Sequence, residues 1–271
     1  MTKFLCPVCQ SPLDEKESCS VCQNGHVFDK AKEGYYYLLT PDKRNSKDPG
    51  DNKEMICARR DFLDGGYYAP LADCISQIVC DIPKPITLVD AGTGTGFYIS
   101  QIIENRNNDE DVYFGVDISK HAVKIASKRN KRAKCAVASV YDLPLPSKCA
   151  DVLVCVFSPY AVKEYARVLK DDGVLIVAYP CENHLIELRR ALYQNVREVA
   201  TVLPESDFES VEEKELTFTF DLNKKGISDL LTMTPYVYRA PKENIEKLQN
   251  LEKMTLTADF HVSVLKCNCQ E

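Results

Sequence analysis

Residues 86–98 read ITLVDAGTGTGFY, and no other stretch constrains the fold of this chain as tightly. Ile86 to Val89 is a short apolar, β-branched run bounded by Pro85, which predicts a buried parallel strand. Asp90 ends it. Gly92, Gly94 and Gly96 follow as a tight turn whose backbone can approach a ligand closely, because glycine has no Cβ. Residues 97–104 then have helical character. Strand, glycine turn and helix open an α/β fold. The spacing is GxGxG rather than the GxGxxG of a dinucleotide fingerprint, so no pyrophosphate ligand is implied.

The alternation continues downstream. Val112 to Val116 predicts a second strand, with Asp117 at its C-terminal end, where a carboxylate can accept both hydroxyls of a ribose. Ser119 caps the helix that follows. Third and fourth strands are expected at 135–139 and 151–157, a helix over 161–173 closed by Gly173, and a fifth strand at 174–180. A glycine loop with an acid after the second strand is the arrangement of a class I S-adenosylmethionine site, at the carboxyl edge of an open doubly wound sheet. Asp90, Gly92, Gly94, Gly96 and Asp117 are therefore candidate cofactor residues. Ala138 stands where many methylases carry an acid for the adenine amino group, so that contact falls to backbone or to Ser139. A Rossmann-like domain serving another nucleotide is the competing reading. After the fourth strand, Phe157-Ser158-Pro159-Tyr160 sits where amino-group methylases place a Pro-aromatic motif whose backbone carbonyl faces the target nitrogen. An ordinary strand-to-helix turn around Pro159 accounts for the same residues.

The chain starts differently. Between Cys6 and His26 lie four cysteines and one histidine. Cys6 and Cys9 form a CxxC knuckle, and Cys22 precedes His26 at CxxxH spacing, which makes a three-sulfur, one-nitrogen zinc set. Cys19 forms a second CxxC with Cys22, so a four-cysteine site without His26 stays open. Either set is closed, hence structural rather than catalytic. About 40 residues bury too little apolar surface to fold alone, and a metal would supply roughly 10–16 kcal/mol. No N-terminal apolar stretch has the length of a signal peptide and no run of about 18 apolar residues exists, which points to a cytoplasmic chain with reduced cysteines and no membrane contact. Cys57, Cys74, Cys80, Cys135, Cys149 and Cys155 then read as small buried hydrophobes.

With 271 residues the chain has room for about two domains. The expected boundaries are a zinc-binding unit at 1–40, a linker and lead-in helix at 41–78, and a methyltransferase unit at 79–271. The net charge of −6 excludes nucleic-acid binding through the whole surface, so RNA contact would rest on patches. Residues 124–134 carry six basic side chains and no acid; a solvated helix end and an RNA patch fit equally. The linker at 40–53 adds four basic residues, and Lys43, Arg44, Lys47, Arg59 and Arg60 are the candidate phosphate contacts.

Taken together, CPxC at Cys6–Cys9, Pro12-Leu13, Cys22 to His26, Phe28-Asp29, AKEGY at Ala31–Tyr35, DPGD at Asp48–Asp51, ARRxFLD at Ala58–Asp64, YxPL at Tyr68–Leu71, HLxEL at His184–Leu188 and MTP at Met233–Pro235 make the chain resemble the bacterial 23S rRNA (guanine-N1)-methyltransferases over nearly its full length. The resemblance implies zinc on Cys6, Cys9, Cys22 and His26, with Cys19 a bystander. It also implies cofactor contacts from Tyr68, from the Gly94–Thr95–Gly96–Phe97 turn and from His184, and 23S rRNA as partner; a homodimer is compatible with it. One departure is Tyr238, where relatives often carry tryptophan, a residue absent from this chain. Two rival classes remain open at this stage: a small-molecule methyltransferase, and a zinc-dependent RNA-binding protein with a relict methylase fold. The base that removes the guanine N1 proton is not identified by sequence; Asp48 and Asp51 are weak candidates.

Overall fold

The computed structural model describes residues 2–41, 49–194, 203 and 207–268. The first three strands, β1 (Leu13–Glu15), β2 (Cys19–Cys22) and β3 (Val27–Asp29), form a small antiparallel sheet. β4 (Tyr36–Tyr37) leaves that unit and joins the main sheet. Two helices follow, α1 (Lys53–Asp64), capped by the Asn52 side chain, and α2 (Ala69–Cys80). Then comes the α/β alternation: β5 (Thr87–Ala91), α3 (Phe97–Arg106), β6 (Val112–Asp117), α4 (Lys120–Arg129), β7 (Ala133–Val137), β8 (Ala150–Val156), α5 (Val162–Val168) and β9 (Leu169–Pro180). The C-terminal part adds α6 (Ile186–Leu192), β10 (Phe208–Asn223), α7 (Lys224–Met233), a 3-10 turn at Pro235–Arg239, α8 (Lys242–Gln249) and β11 (Lys253–Cys267). No helix among the described residues is long and apolar enough to cross a membrane.

The eight-stranded sheet runs β10-β11-β9-β8-β5-β6-β7-β4, with β11 antiparallel to both neighbours and the remaining pairings parallel. Strand order reverses at β5, so the crevice at the carboxyl ends of β5, β6 and β8 is the place where an open α/β sheet receives a ligand. This is the class I methyltransferase fold. β5 to β8 read as near-continuous apolar runs because both sheet faces are covered. Phe62, Leu71, Ile75, Ile99 and Ile102 pack one face. Val89, Phe114, Leu143 and Tyr165 fill the other together with Phe4 and Leu13 of the N-terminal unit.

Two sequence expectations change. The helix expected over 161–173 stops at Val168, and Leu169 already pairs with Ala150 as β9 begins. Gly173 does not close a helix; a Cβ there would sit 3.0 Å from the carbonyls of Ala150 and Lys170, so it admits a close backbone approach. The third strand lies two residues earlier than expected, at Ala133–Val137, because Ser139 turns to bridge Asp142.

The basic run at 124–134 turns out to be a docking surface inside the molecule. Lys124 pairs with Glu33 at 3.4 Å, Lys134 with Glu15 at 2.9 Å, and Lys131 donates to the Glu33 carbonyl at 2.9 Å. Arg129 binds Asp64 at 2.6 Å and Arg132 meets Asp109 at 3.7 Å. The N-terminal unit supplies a carboxylate to two of these cations and a backbone carbonyl to a third. Backbone bonds add to the join: Leu5 N donates to Pro144 O and Leu38 N to Val137 O. Phe4 meets Phe114 edge-on with ring centroids 5.0 Å apart.

Candidate cofactor cavity and metal centre

The metal centre is built by two short turns. Gln10, in the left-handed region with φ 58°, lets the chain double back so that its amide donates to Cys6 O at 2.8 Å; this sets Cys6 and Cys9 side by side. Gly25, with φ 80°, does the same between Cys22 and His26. The ligand atoms of Cys6, Cys9, Cys22 and His26 all lie within 4.8 Å of one another. His26 Nδ1 is 3.3 Å from Cys22 Sγ and 3.5 Å from Cys6 Sγ, and Cys9 Sγ is 3.6 Å from Cys22 Sγ. Hydrogen bonding from Ser11 draws the Cys9 thiol down to about 5, toward the thiolate that a metal needs. Three sulfurs and one imidazole converging on one point fit a closed zinc shell. Cys19 stands at the far end of β2, paired with Asp29, outside this group.

The second site is a cavity of about 430 Å3 at the carboxyl edge of the sheet. Its floor is the glycine turn, pinned to β6 by bonds from Gly92 N and Thr93 N to Val116 O. Gly92 and Gly96 both have positive φ, and a Cβ at Gly92 would come within 2.2 Å of Ser158 Oγ. A side chain there would close the cleft. Asp117 holds the rim: its Oδ2 accepts from Gly94 N at 2.9 Å and its Oδ1 from Ser119 N at 2.8 Å. Burial raises its pKa against the pull of those two amides. Ile118, Ser139, Val140 and Tyr141 continue the wall on one side, and Val156, Phe157, Ser158 and Pro159 on the other. Asp90 Oδ2 and Thr95 Oγ1 are buried polar atoms with no protein partner, and burial pushes the Asp90 carboxyl up to about 7. Unmet polar groups beside an open glycine cradle and a ribose-height carboxylate fit S-adenosylmethionine.

Of the sequence candidates, Tyr68, Gly92, Gly94, Thr95, Phe97, Asp117, Ser139, Phe157, Ser158 and Pro159 line this cavity. Asp90, Gly96, Tyr160 and His184 do not line it. Asp90 lies under the turn, and Gly96 starts α3 where a Cβ would press Ala126 at 2.9 Å. His184 stands behind Tyr68. Its Nδ1 accepts from Asp259 N at 3.3 Å, so its proton resides on Nε2, 3.1 Å from Tyr68 OH. That leaves the Tyr68 hydroxyl hydrogen to point elsewhere. Tyr160 turns away, edge-on to Tyr165. Carbonyls of the 157–160 segment accept from within: Tyr165 OH donates to Pro159 O at 2.7 Å, and Cys155 Sγ lies 3.5 Å from Ser158 O. Phe157 is held at φ 52° and 41% exposed, a strained backbone at the cavity lip.

The structure also brings forward residues with weak sequence signals. Gly50, Asp51 and Arg59 line the cavity. Arg59 Nη2 binds Asp51 Oδ2 at 2.5 Å and the Met233 carbonyl at 3.2 Å, while Ser119 Oγ donates to Asp51 O at 2.9 Å. The segment before α1 is thereby strapped across the cavity mouth. Arg59 and Arg60 are both ion-paired, Arg60 with Asp61 at 2.5 Å. Asp48, Lys43, Arg44 and Lys47 lie outside the described residues.

A zinc-ribbon family described as RlmA, N-terminal, matches residues 4–47, and a family described as methyltransferase domain matches residues 83–234. The chain is 32% identical over 272 residues, 95% of each chain, to a Streptomyces fradiae protein named 23S rRNA (guanine(748)-N(1))-methyltransferase. It is 30% identical over 282 residues, 96% of each chain, to Bacillus subtilis YxjB, provisionally named a 23S rRNA (guanine-N(1)-)-methyltransferase.

Proposed function

The chain belongs to the family of 23S rRNA (guanine-N1)-methyltransferases, and from that premise we propose how its own residues serve the methylation of one guanine N1 in 23S rRNA. S-adenosylmethionine supplies a methyl group already activated on a sulfonium. What the protein must add is position, since correct alignment of nucleophile and carbon accounts for several kcal/mol of a barrier. Asp117 takes the ribose hydroxyls, with its carboxylate aimed by the Gly94 and Ser119 amides. The Gly92–Phe97 turn admits the methionine part, and Ser139 and Val140 flank the adenine. Tyr68, fixed from behind by His184, turns its hydroxyl hydrogen toward the cofactor. Phe157 and Ser158 form the lip over which a base can enter.

N1 lies on the pairing edge of guanine, so the target must be unpaired or swung out of its stack before it reaches the lip. The zinc knot, docked beside β7, offers RNA a rigid surface next to the cleft and so helps to choose the hairpin. The single observation that carries this reading is the cavity itself: a glycine cradle and a ribose-height acid, open at the edge of the sheet against which the zinc unit is docked.

The test uses the blockage that N1 methylation imposes on base pairing. Unmethylated 23S rRNA incubated with the protein and S-adenosylmethionine is copied by reverse transcriptase. A new, cofactor-dependent stop at one guanine of a hairpin is expected. Methyl transfer to a metabolite pool with no stop on rRNA would refute the assignment.

A further inference from the structure

Guanine N1 carries a hydrogen, so its electron pair becomes available only as that proton leaves, and the cavity must hold a base. Among the described residues lining the cavity, three are charged: Asp51, Arg59 and Asp117. Asp117 is committed to the ribose hydroxyls, aimed at them by Gly94 N on one oxygen and Ser119 N on the other. Burial pushes the phenols of Tyr68 and Tyr98 upward, so both keep their protons, and Tyr141 is 65% exposed at the mouth. Asp51 remains. It belongs to the short segment before α1 that Ser119 and Arg59 hold against the cavity. Its pairing with Arg59 runs through Oδ2, which leaves Oδ1 to accept. Both described bonds of Arg59 run through Nη2, which leaves Nε and Nη1 to donate. The charged groups facing Asp51 are Arg59 of α1 and Asp117 at the end of β6.

Guanine presents an acceptor, O6, beside a donor, N1–H. A carboxylate beside a guanidinium is the complement of that pair. We propose that Asp51 and Arg59 together read the pairing edge of the target guanine, Asp51 as the base for N1 and Arg59 as the donor to O6. This rests on the methyltransferase reading above. The N1–H bond breaks and its proton passes to Asp51 Oδ1. The electron pair left on N1 forms the bond to the methyl carbon. The carbon–sulfur bond of S-adenosylmethionine breaks with its pair staying on sulfur, which leaves a thioether. The proton on Asp51 then goes to water. Arg59 holds the negative charge that spreads onto O6 while N1 is deprotonated.

The test uses full-length Asp51→Asn and Asp51→Glu proteins with zinc bound and a transcript of the 23S rRNA hairpin. In Asp51→Asn, kcat falls by about 10^2- to 10^4-fold. Affinities for S-adenosylmethionine and for the hairpin, read by calorimetry, stay within about threefold of wild type. The variant's log kcat climbs with about unit slope as pH rises, because hydroxide must then take the proton. Asp51→Glu recovers part of the lost rate and loses the slope. An Asp51→Asn enzyme with near wild-type kcat, or a lowered kcat with no new slope, overturns the assignment. So does a cofactor affinity that falls in step with kcat, which would place the pair on the cofactor. Wild-type protein that leaves guanine N1 unmethylated would instead overturn the methyltransferase reading on which the proposal stands.

Discussion

His184 shows how one residue can be legible in kind and opaque in use. Its sequence neighbours give no chemical clue, and only the likeness to a family drew notice to it. In the structure it is 8% exposed and held neutral, with burial depressing its pKa to about 4. An unfolded histidine titrates near 6.5. Between those values the unfolded chain binds a proton that the folded chain refuses, so stability is full above about pH 6.5 and is lost as pH falls toward 4. Asp90 works the other way. Its raised carboxyl, at about 7, costs stability as pH climbs from about 4 toward 7. The two nearly offset each other in wild type. Urea unfolding of wild type and His184→Gln at pH 7 and pH 5 separates them, since Asp90 cancels in the difference. We expect the wild type to lose on the order of 2 kcal/mol more than the variant on going to pH 5. An identical pH response in the two proteins would mean that His184 is protonated in place. Arg59 is the opposite case: its charge was plain in the sequence, but its partner Asp51 is eight positions away on a strap whose path only tertiary structure reveals.

At the scale of elements, hydrophobic pattern served well where both sheet faces are buried. β5, β6 and β8 fall within two residues of the positions expected from apolar runs and the glycine turn. It failed at 161–173, where helix-forming residues are overridden by the pairing of Leu169 with Ala150, a long-range contact that carries no local signal. The rival zinc sets could not be separated by spacing either, because Cys22 forms CxxC with Cys19 on one side and CxxxH with His26 on the other; the direction of β2, which carries Cys19 away to pair with Asp29, separates them. Cys22→Ser should release the metal and disorder the N-terminal sheet, while Cys19→Ser should retain one zinc per chain. Metal analysis with circular dichroism decides this. Zinc lost from Cys19→Ser together with zinc kept by His26→Ala would restore the four-cysteine site.

For the whole molecule, the boundary between the zinc unit and the catalytic unit is less a hinge than a seam. Phe4 and Leu13 share a core with β5 and β6, and burying two such side chains is worth about 3–6 kcal/mol. Lys124, Lys131 and Lys134 close the seam from a basic run for which the sequence left a solvated helix end and an RNA patch equally open. If the units were independent, chelating zinc would abolish RNA recognition alone. The seam predicts more: calorimetry in the presence of a strong chelator should show weaker S-adenosylmethionine binding and a lower melting temperature for the catalytic unit as well. Cofactor affinity untouched by chelation would argue for separable units.

β4 gives that seam a consequence beyond stability. Leu38 N bonds Val137 O, and Ala138 N bonds Asp117 O, so a continuous run of backbone hydrogen bonds links the strand leaving the zinc knot to the acid on the cofactor rim. Whatever loosens the metal knot therefore reaches the rim of the cleft through the backbone itself, without any side chain having to carry the message.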